Sequence, residues 1–234
     1  MSGLAVSLHL SFVFIVPCIS CTLCLVMKYF VKTPWWLKRI YPNRVWHIDT
    51  DEKIIYLSFD DGPHPVATPF VLDELKRYNA KATFFCIGKN VVSFPAIYKR
   101  ILDEGHRVGN HTQHHLNGWK TNTATYLADV AEASNHISSP LFRPPYGRIR
   151  AAQVKGIKKS LQNESAKIIM WDVLSGDFDE SLSKENCLQN VIRKTKPGSI
   201  IVFHDSEKAF PLLAYSLPLF LRAFAEKGFV FNSL

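Results

Sequence analysis

From residue 50 onward the chain alternates short apolar runs with longer stretches of helical periodicity. The runs IIYLSF (54–59), ATFFCI (82–87), HRVGN (106–110), LFR (141–143), KIIMW (167–171), SIIVF (199–203) and FVFN (229–232) have the length and composition of strands. Helical patterns fill 67–79, 94–104, 122–138, 148–162, 183–195 and 209–227. This alternation predicts repeated β-α units, hence an α/β fold with a mostly parallel sheet and helices outside it. Six crossovers suit either an open doubly wound sheet or a barrel of seven strands. No glycine-rich fingerprint follows the first strand, which counts against a dinucleotide-binding fold.

The polar residues gather where the apolar runs end. Asp60 and Asp61 follow the first run, and His111 to His115 follow the third. Arg143 closes the fourth, Asp172 follows the fifth, and His204 and Asp205 follow the sixth. In a parallel barrel all these strand ends meet on one face, where active sites are built. Residues far apart in sequence are therefore expected to converge on one pocket.

Two adjacent carboxylates repel each other, and near an apolar interior each also loses hydration. Asp, Gly and Pro are common turn residues, so DDGPHP reads as a solvated turn or as a pair whose repulsion a cation relieves. In GNHTQHH (109–115), His111 and His115 stand at i, i+4, and a helical turn there would put both imidazoles within reach of one metal. The pair alone is a weak motif. Adding a carboxylate from the first strand end gives two His and one Asp, a set that leaves coordination positions open. Arg143, before two prolines that stiffen the loop, could hold a carboxylate ionised and aim a backbone N–H into the pocket. His204 ends an apolar strand, where a histidine is more often structural; its place on the shared face favours a functional role.

Length and composition narrow the field further. The 234 residues, 47% of them hydrophobic, suffice for one well-buried domain. A net charge of +8 would suit an anionic partner, but the cations are spread along the chain and no nucleic-acid motif appears. Five cysteines form no disulfide framework: Cys18, Cys21 and Cys24 lie in the apolar N-terminus, and Cys86 and Cys187 in the body.

Three regions follow: an apolar segment (1–27), a basic and aromatic lead-in (28–49) and a single body (50–234). Residues 4–27 carry no Lys, Arg, Asp or Glu and are long enough to cross a bilayer. No basic residue precedes them, as a secretory signal would require. Lys28, Lys32, Lys38 and Arg39 follow, which by the positive-inside rule would keep the body cytoplasmic. The segment KTPWWLKRIYPNRVW would suit a membrane interface. Translation starting at Met27 would remove the apolar segment and leave a cytoplasmic or cell-envelope protein.

The motifs SFDDGP, HTQHH, RPPYG, WDVLSGDFD and VFHD, in this order and spacing, resemble the five motifs of the NodB-type polysaccharide deacetylases, carbohydrate esterase family four. The resemblance covers about residues 50–233. It implies a distorted (β/α) barrel of about seven parallel strands and metal-dependent removal of acetyl groups from glycans. It further implies that Asp60 is the general base, and that Asp61, His111 and His115 hold one divalent metal, zinc or another such as cobalt. Arg143 would pair with Asp60, the Tyr146 N–H would meet the oxyanion, and His204 would protonate the leaving amine. The expected partner is an acetylated glycan, peptidoglycan or chitin-like, bound by a monomer. Two positions depart from the family pattern: Leu174 replaces an aspartate that usually orients the catalytic histidine, and Phe178 replaces a tryptophan. The partner of His204 is then open among Asp172, Asp177 and Asp205. O-acetyl ester cleavage, or a glycan-binding barrel with little turnover, stand as alternatives.

Overall fold

In the computed structural model, which describes residues 29–234, the first apolar run forms β1 (Ile54–Asp60). It is followed by β2 (Thr83–Cys86), β3 (Arg107–Asn110), β4 (Leu141–Phe142), β5 (Lys167–Ile168), β6 (Val173–Leu174), β7 (Ile200–His204) and β8 (Val230–Asn232). Every ladder is parallel, in the order β5-β4-β3-β2-β1-β7-β6, with β8 beside the first half of β1. The crossovers are helical: α2 (Ala67–Arg77), α3 (Gly88–Ser93), α4 (Pro95–Asp103), α5 (Thr123–Ser134), α6 (Ala151–Ser160), α7 (Lys184–Lys194) and α8 (Phe210–Ala225). A short α1 (Trp35–Ile40) precedes them. The apolar segment 4–27, with Cys18, Cys21 and Cys24, lies outside the described residues. Among the described residues no helix is long and apolar enough to cross a membrane.

Strand periodicity divides β1 between two environments. Leu57 and Phe59 belong to the core between sheet and helices, where Phe59 stacks on Phe84 and Phe203 at 5.1 and 6.1 Å. Ser58 and Asp60 point to the opposite, inner side, where both meet Arg143. That inner side is also apolar, with Phe85, Leu141, Ile169 and Ile200 buried together.

The sheet curls into the expected distorted barrel. β5 and β6 are its two edges, yet only residues 169–172 separate them in the chain. Five steps along the chain join Ile168 to Val173 and span at most about 18 Å, so the edges must approach each other. The lead-in fills the seam. Val45 exchanges backbone hydrogen bonds with Ile168 and Met170, while Thr33 N–H donates to the Asp172 carbonyl and Leu174 N–H to that of Val31. The basic residues expected to suit a membrane are partly engaged here. Lys32 pairs with the buried Asp172 carboxylate, Lys38 Nζ lies 2.6 Å from it, Ser199 Oγ donates at 2.7 Å, and His47 Nδ1 lies 3.5 Å away. Burial would raise the Asp172 carboxyl, but His47, the two lysines and Ser199 outweigh it and hold the group well below the usual range.

This geometry corrects one expectation. Asp172 does not follow a strand into the pocket. The run KIIMW contributes only Lys167 and Ile168 to β5, and a new strand begins at Val173. Asp172 therefore stands at the start of β6, beside Ser199 before β7. It lies at the opposite end of β7 from His204 and cannot be its partner.

Candidate active site

The end of β1 carries Asp60, buried and inward-facing, and then Asp61 in the left-handed region at φ 80°. Arg143, fully buried at the end of β4, lies over Phe85 at 4.0 Å and donates to Asp60 Oδ1 at 2.6 Å. Its other donors reach Ser58 Oγ (2.8 Å) and the carbonyls of Met170 (2.9 Å) and Ile169 (3.3 Å). Ser58 Oγ in turn donates to the Ile201 carbonyl at 2.7 Å. A guanidinium anchored by four such bonds holds its carboxylate at a fixed place.

Asp61 points the other way, toward the histidines. His115 Nε2 lies 3.1 Å from Asp61 Oδ1 and His111 Nε2 lies 3.6 Å from it, so three ligand-type atoms converge. Asp61 Oδ1 is buried with no well-aligned donor, as expected of an oxygen reserved for a cation. Burial would raise this carboxyl, but the His115, His204 and His111 imidazoles outweigh it and hold it well below the carboxylate range. His111 is pushed down to about 4, chiefly by burial, so it is neutral at pH 7. Its Nδ1–H donates to the Arg143 carbonyl at 2.7 Å, which leaves the Nε2 lone pair facing Asp61. The three residues fit a divalent cation.

The two histidines do not sit on a helical turn. Residues 111–117 form a loop in which Thr112 and His115 take left-handed φ values of 65° and 58°. The polar supports of this loop went unread in the sequence. The buried Asn110 amide donates to the Val130 carbonyl, and its oxygen accepts the Thr112 N–H at 2.9 Å. The Asp129 carboxylate accepts the N–H groups of Gln113 and His114 and lies 2.6 Å from His114 Nδ1. Two polar residues inside a mostly apolar strand–helix pattern were the signal available.

Tyr146, also left-handed at φ 59°, follows the two prolines, and its ring lies 4.6 Å from that of His115. Asp61, Thr112, His115 and Tyr146 make up four of the six non-glycine residues with positive φ among those described. Backbone strain of this kind concentrates at functional sites.

His204 closes β7 opposite Asp60, with which it is in register. Its Nδ1 lies 2.7 Å from Asp177 Oδ1, and its backbone N–H donates to Asp177 Oδ2 at 2.8 Å. Burial lowers the imidazole, but Asp177, with help from Asp61 and Asp60, more than reverses this and raises it to about 9. Phe178 presents itself edge-on to His204 at 5.1 Å, so an aromatic contact survives the replacement of tryptophan. Leu174 is simply a buried residue of β6. Asp205 is engaged elsewhere, where its carboxyl accepts the Gly62 N–H at 3.1 Å and lies 2.5 Å from the Thr68 hydroxyl. A Cβ at Gly62 would fall 2.0 Å from Asp205 Oδ2, so only glycine allows this approach.

Known proteins share both sequence and fold. A family model described as polysaccharide deacetylase matches residues 47–163. A peptidoglycan-N-acetylglucosamine deacetylase of Bacillus cereus is 33% identical over 192 residues, covering 80% of this chain and 88% of its own. The crystal structure of the Bc1960 peptidoglycan N-acetylglucosamine deacetylase superposes with a TM-score of 0.76 at 31% identity, covering 86% of this chain and 95% of that one. A carbohydrate esterase family four pseudoenzyme from Bacillus anthracis superposes with a TM-score of 0.71 at 26% identity, covering 85% of this chain and 69% of its own. The chain belongs to the polysaccharide deacetylase family, and it is a deacetylase of the carbohydrate esterase family four type.

Proposed function

We propose that the protein hydrolyses N-acetyl groups on an amino-sugar polymer, with the convergence of Asp61, His111 and His115 beside the Arg143-held Asp60 as the observation that carries this reading. The substrate class is peptidoglycan or a chitin-like glycan, as the names of the relatives suggest. Asp61, His111 and His115 would hold one divalent cation, zinc above all. Such a cation, when bound, makes hydroxide accessible at neutral pH and polarises the acetyl carbonyl. Asp60, buried and fixed by Arg143, takes the proton of the attacking water. The Tyr146 N–H, in its left-handed turn beside His115, meets the oxygen on which negative charge develops. His204 then gives a proton to the amine nitrogen as it leaves, because an amide nitrogen leaves poorly unless protonated.

The Asp177 pairing weakens the alternative of a binding barrel without turnover, whose best support was Leu174. Residues 4–27 would tether the domain to a membrane. The test is acetate release from acetylated glycans with and without a chelator. Release that stops with chelator and returns with zinc is expected; no release from any acetylated amino-sugar polymer refutes the reading.

A further inference from the structure

The loop that leaves His115 and the loop that leaves Tyr146 are stitched together. Gln153 Nε2 donates to the carbonyls of Gly118 (2.9 Å) and Thr121 (3.2 Å), and Arg150 Nη2 donates to that of Trp119. A Cβ at Gly118 would fall 2.4 Å from the Arg148 carbonyl, so the two backbones touch. The stitch presents an indole to solvent. Trp119 is 56% exposed, and the Arg148 guanidinium lies over its ring at 5.1 Å. The ring is therefore open to a ligand, with a cation already placed over it.

Its position relative to the chemistry follows from chain length. Trp119 is four residues beyond His115, at most about 14 Å, and Arg148 two residues beyond Tyr146, at most about 7 Å. The His115 and Tyr146 rings are themselves in contact. The platform therefore stands within a short reach of the candidate catalytic groups. Its surroundings are basic: Lys120, Arg148 and Arg150 are all exposed, and none of the three pairs with a carboxylate among the described residues.

We propose that Trp119 and Arg148 form an outlying subsite for a sugar carrying a carboxylate, in the same glycan as the residue being deacetylated. This rests on the glycan reading above and goes beyond it by choosing an acidic polymer over a neutral one. The apolar C–H face of a pyranose packs on the indole. The planar guanidinium, already oriented over that ring, pairs with the carboxylate. Lys120 and Arg150 add a field that favours the acidic chain.

The experiment titrates the metal-stripped full chain with oligomers of N-acetylglucosamine alternating with N-acetylmuramic acid, and with neutral oligomers of N-acetylglucosamine of equal length. Acetate release by the metal-loaded enzyme is followed in parallel. Tighter binding of the acidic oligomer is expected. Arg148→Ala should lose about tenfold for the acidic oligomer and little for the neutral one, and Trp119→Ala should weaken both. If the wild type binds both glycans equally, or if Arg148→Ala weakens both alike, the subsite is refuted. Absence of acetate release by the wild type would refute the deacetylase reading alone, leaving the binding comparison to judge the subsite.

Discussion

Asp177 holds His204 twice, through the ring nitrogen at 2.7 Å and through the backbone N–H at 2.8 Å. One carboxylate thereby fixes both where the histidine sits and how strongly it keeps its proton. With the imidazole raised to about 9, His204 stays charged through neutral pH, as the acid proposed for the leaving amine must.

Asp177→Asn removes the negative charge and keeps the shape. The basic limb of kcat/KM against pH should then move down by roughly 1–3 units, since the opposing burial is no longer outweighed. The stability contribution has the matching sign. A folded pKa above the unfolded value stabilises fully below about pH 6.5 and is lost as pH rises through about 9. An unchanged basic limb in the variant would remove His204 as the acid.

Arg143→Ala leaves the buried Asp60 carboxylate without its partner and strips donors from the Ile169 and Met170 carbonyls. Breaking a buried pair from one side costs about 3–5 kcal/mol, visible as a large drop in the denaturation midpoint. Arg143→Lys should recover little, because an ammonium cannot reproduce the fork. A midpoint equal to that of the wild type would contradict the pairing.

The seam makes a separate prediction. A chain beginning at Met27 keeps the Lys32 and Lys38 contacts to Asp172 and should fold, whereas one beginning at Asp49 opens the barrel edge and should not melt cooperatively. Within the full chain, replacing both lysines by alanine leaves Asp172 buried and underpaired, at a cost of about 3 kcal/mol, since both lysines are partly exposed. The Asp172 carboxyl is depressed on folding, so its contribution is present above about pH 4 and fades on acidification. The double variant should therefore lose less stability between pH 7 and pH 3 than the wild type. Equal losses would show that Asp172 is not held this way.

Much of this arrangement was legible in the sequence because a parallel barrel gathers strand ends, and each predicted run did yield a strand. Asp60, Asp61, His111, Arg143 and His204 could be placed from that rule alone. Asp172 and Asp177 could not be told apart. They differ only in which side of the two-residue strand Val173–Leu174 they stand, and a strand that short leaves no periodicity to read. The i, i+4 spacing does not reveal the left-handed residues of the loop bearing His115, which Asn110 and Asp129 impose through side-chain hydrogen bonds. The lead-in looked like a membrane-facing segment because its lysines have no partner in local sequence; Asp172 lies 134 to 140 positions away.

The unequal roles proposed for the adjacent aspartates are tested most directly by metal content and acetate release measured together on Asp60→Asn and Asp61→Asn. Asp60→Asn should keep about one metal per chain and lose roughly 10²–10⁴-fold in rate, the usual cost of a missing general base. Asp61→Asn should lose metal, and excess zinc should restore part of its rate. An Asp60→Asn protein without metal beside an Asp61→Asn protein that keeps both metal and activity would contradict the assignment.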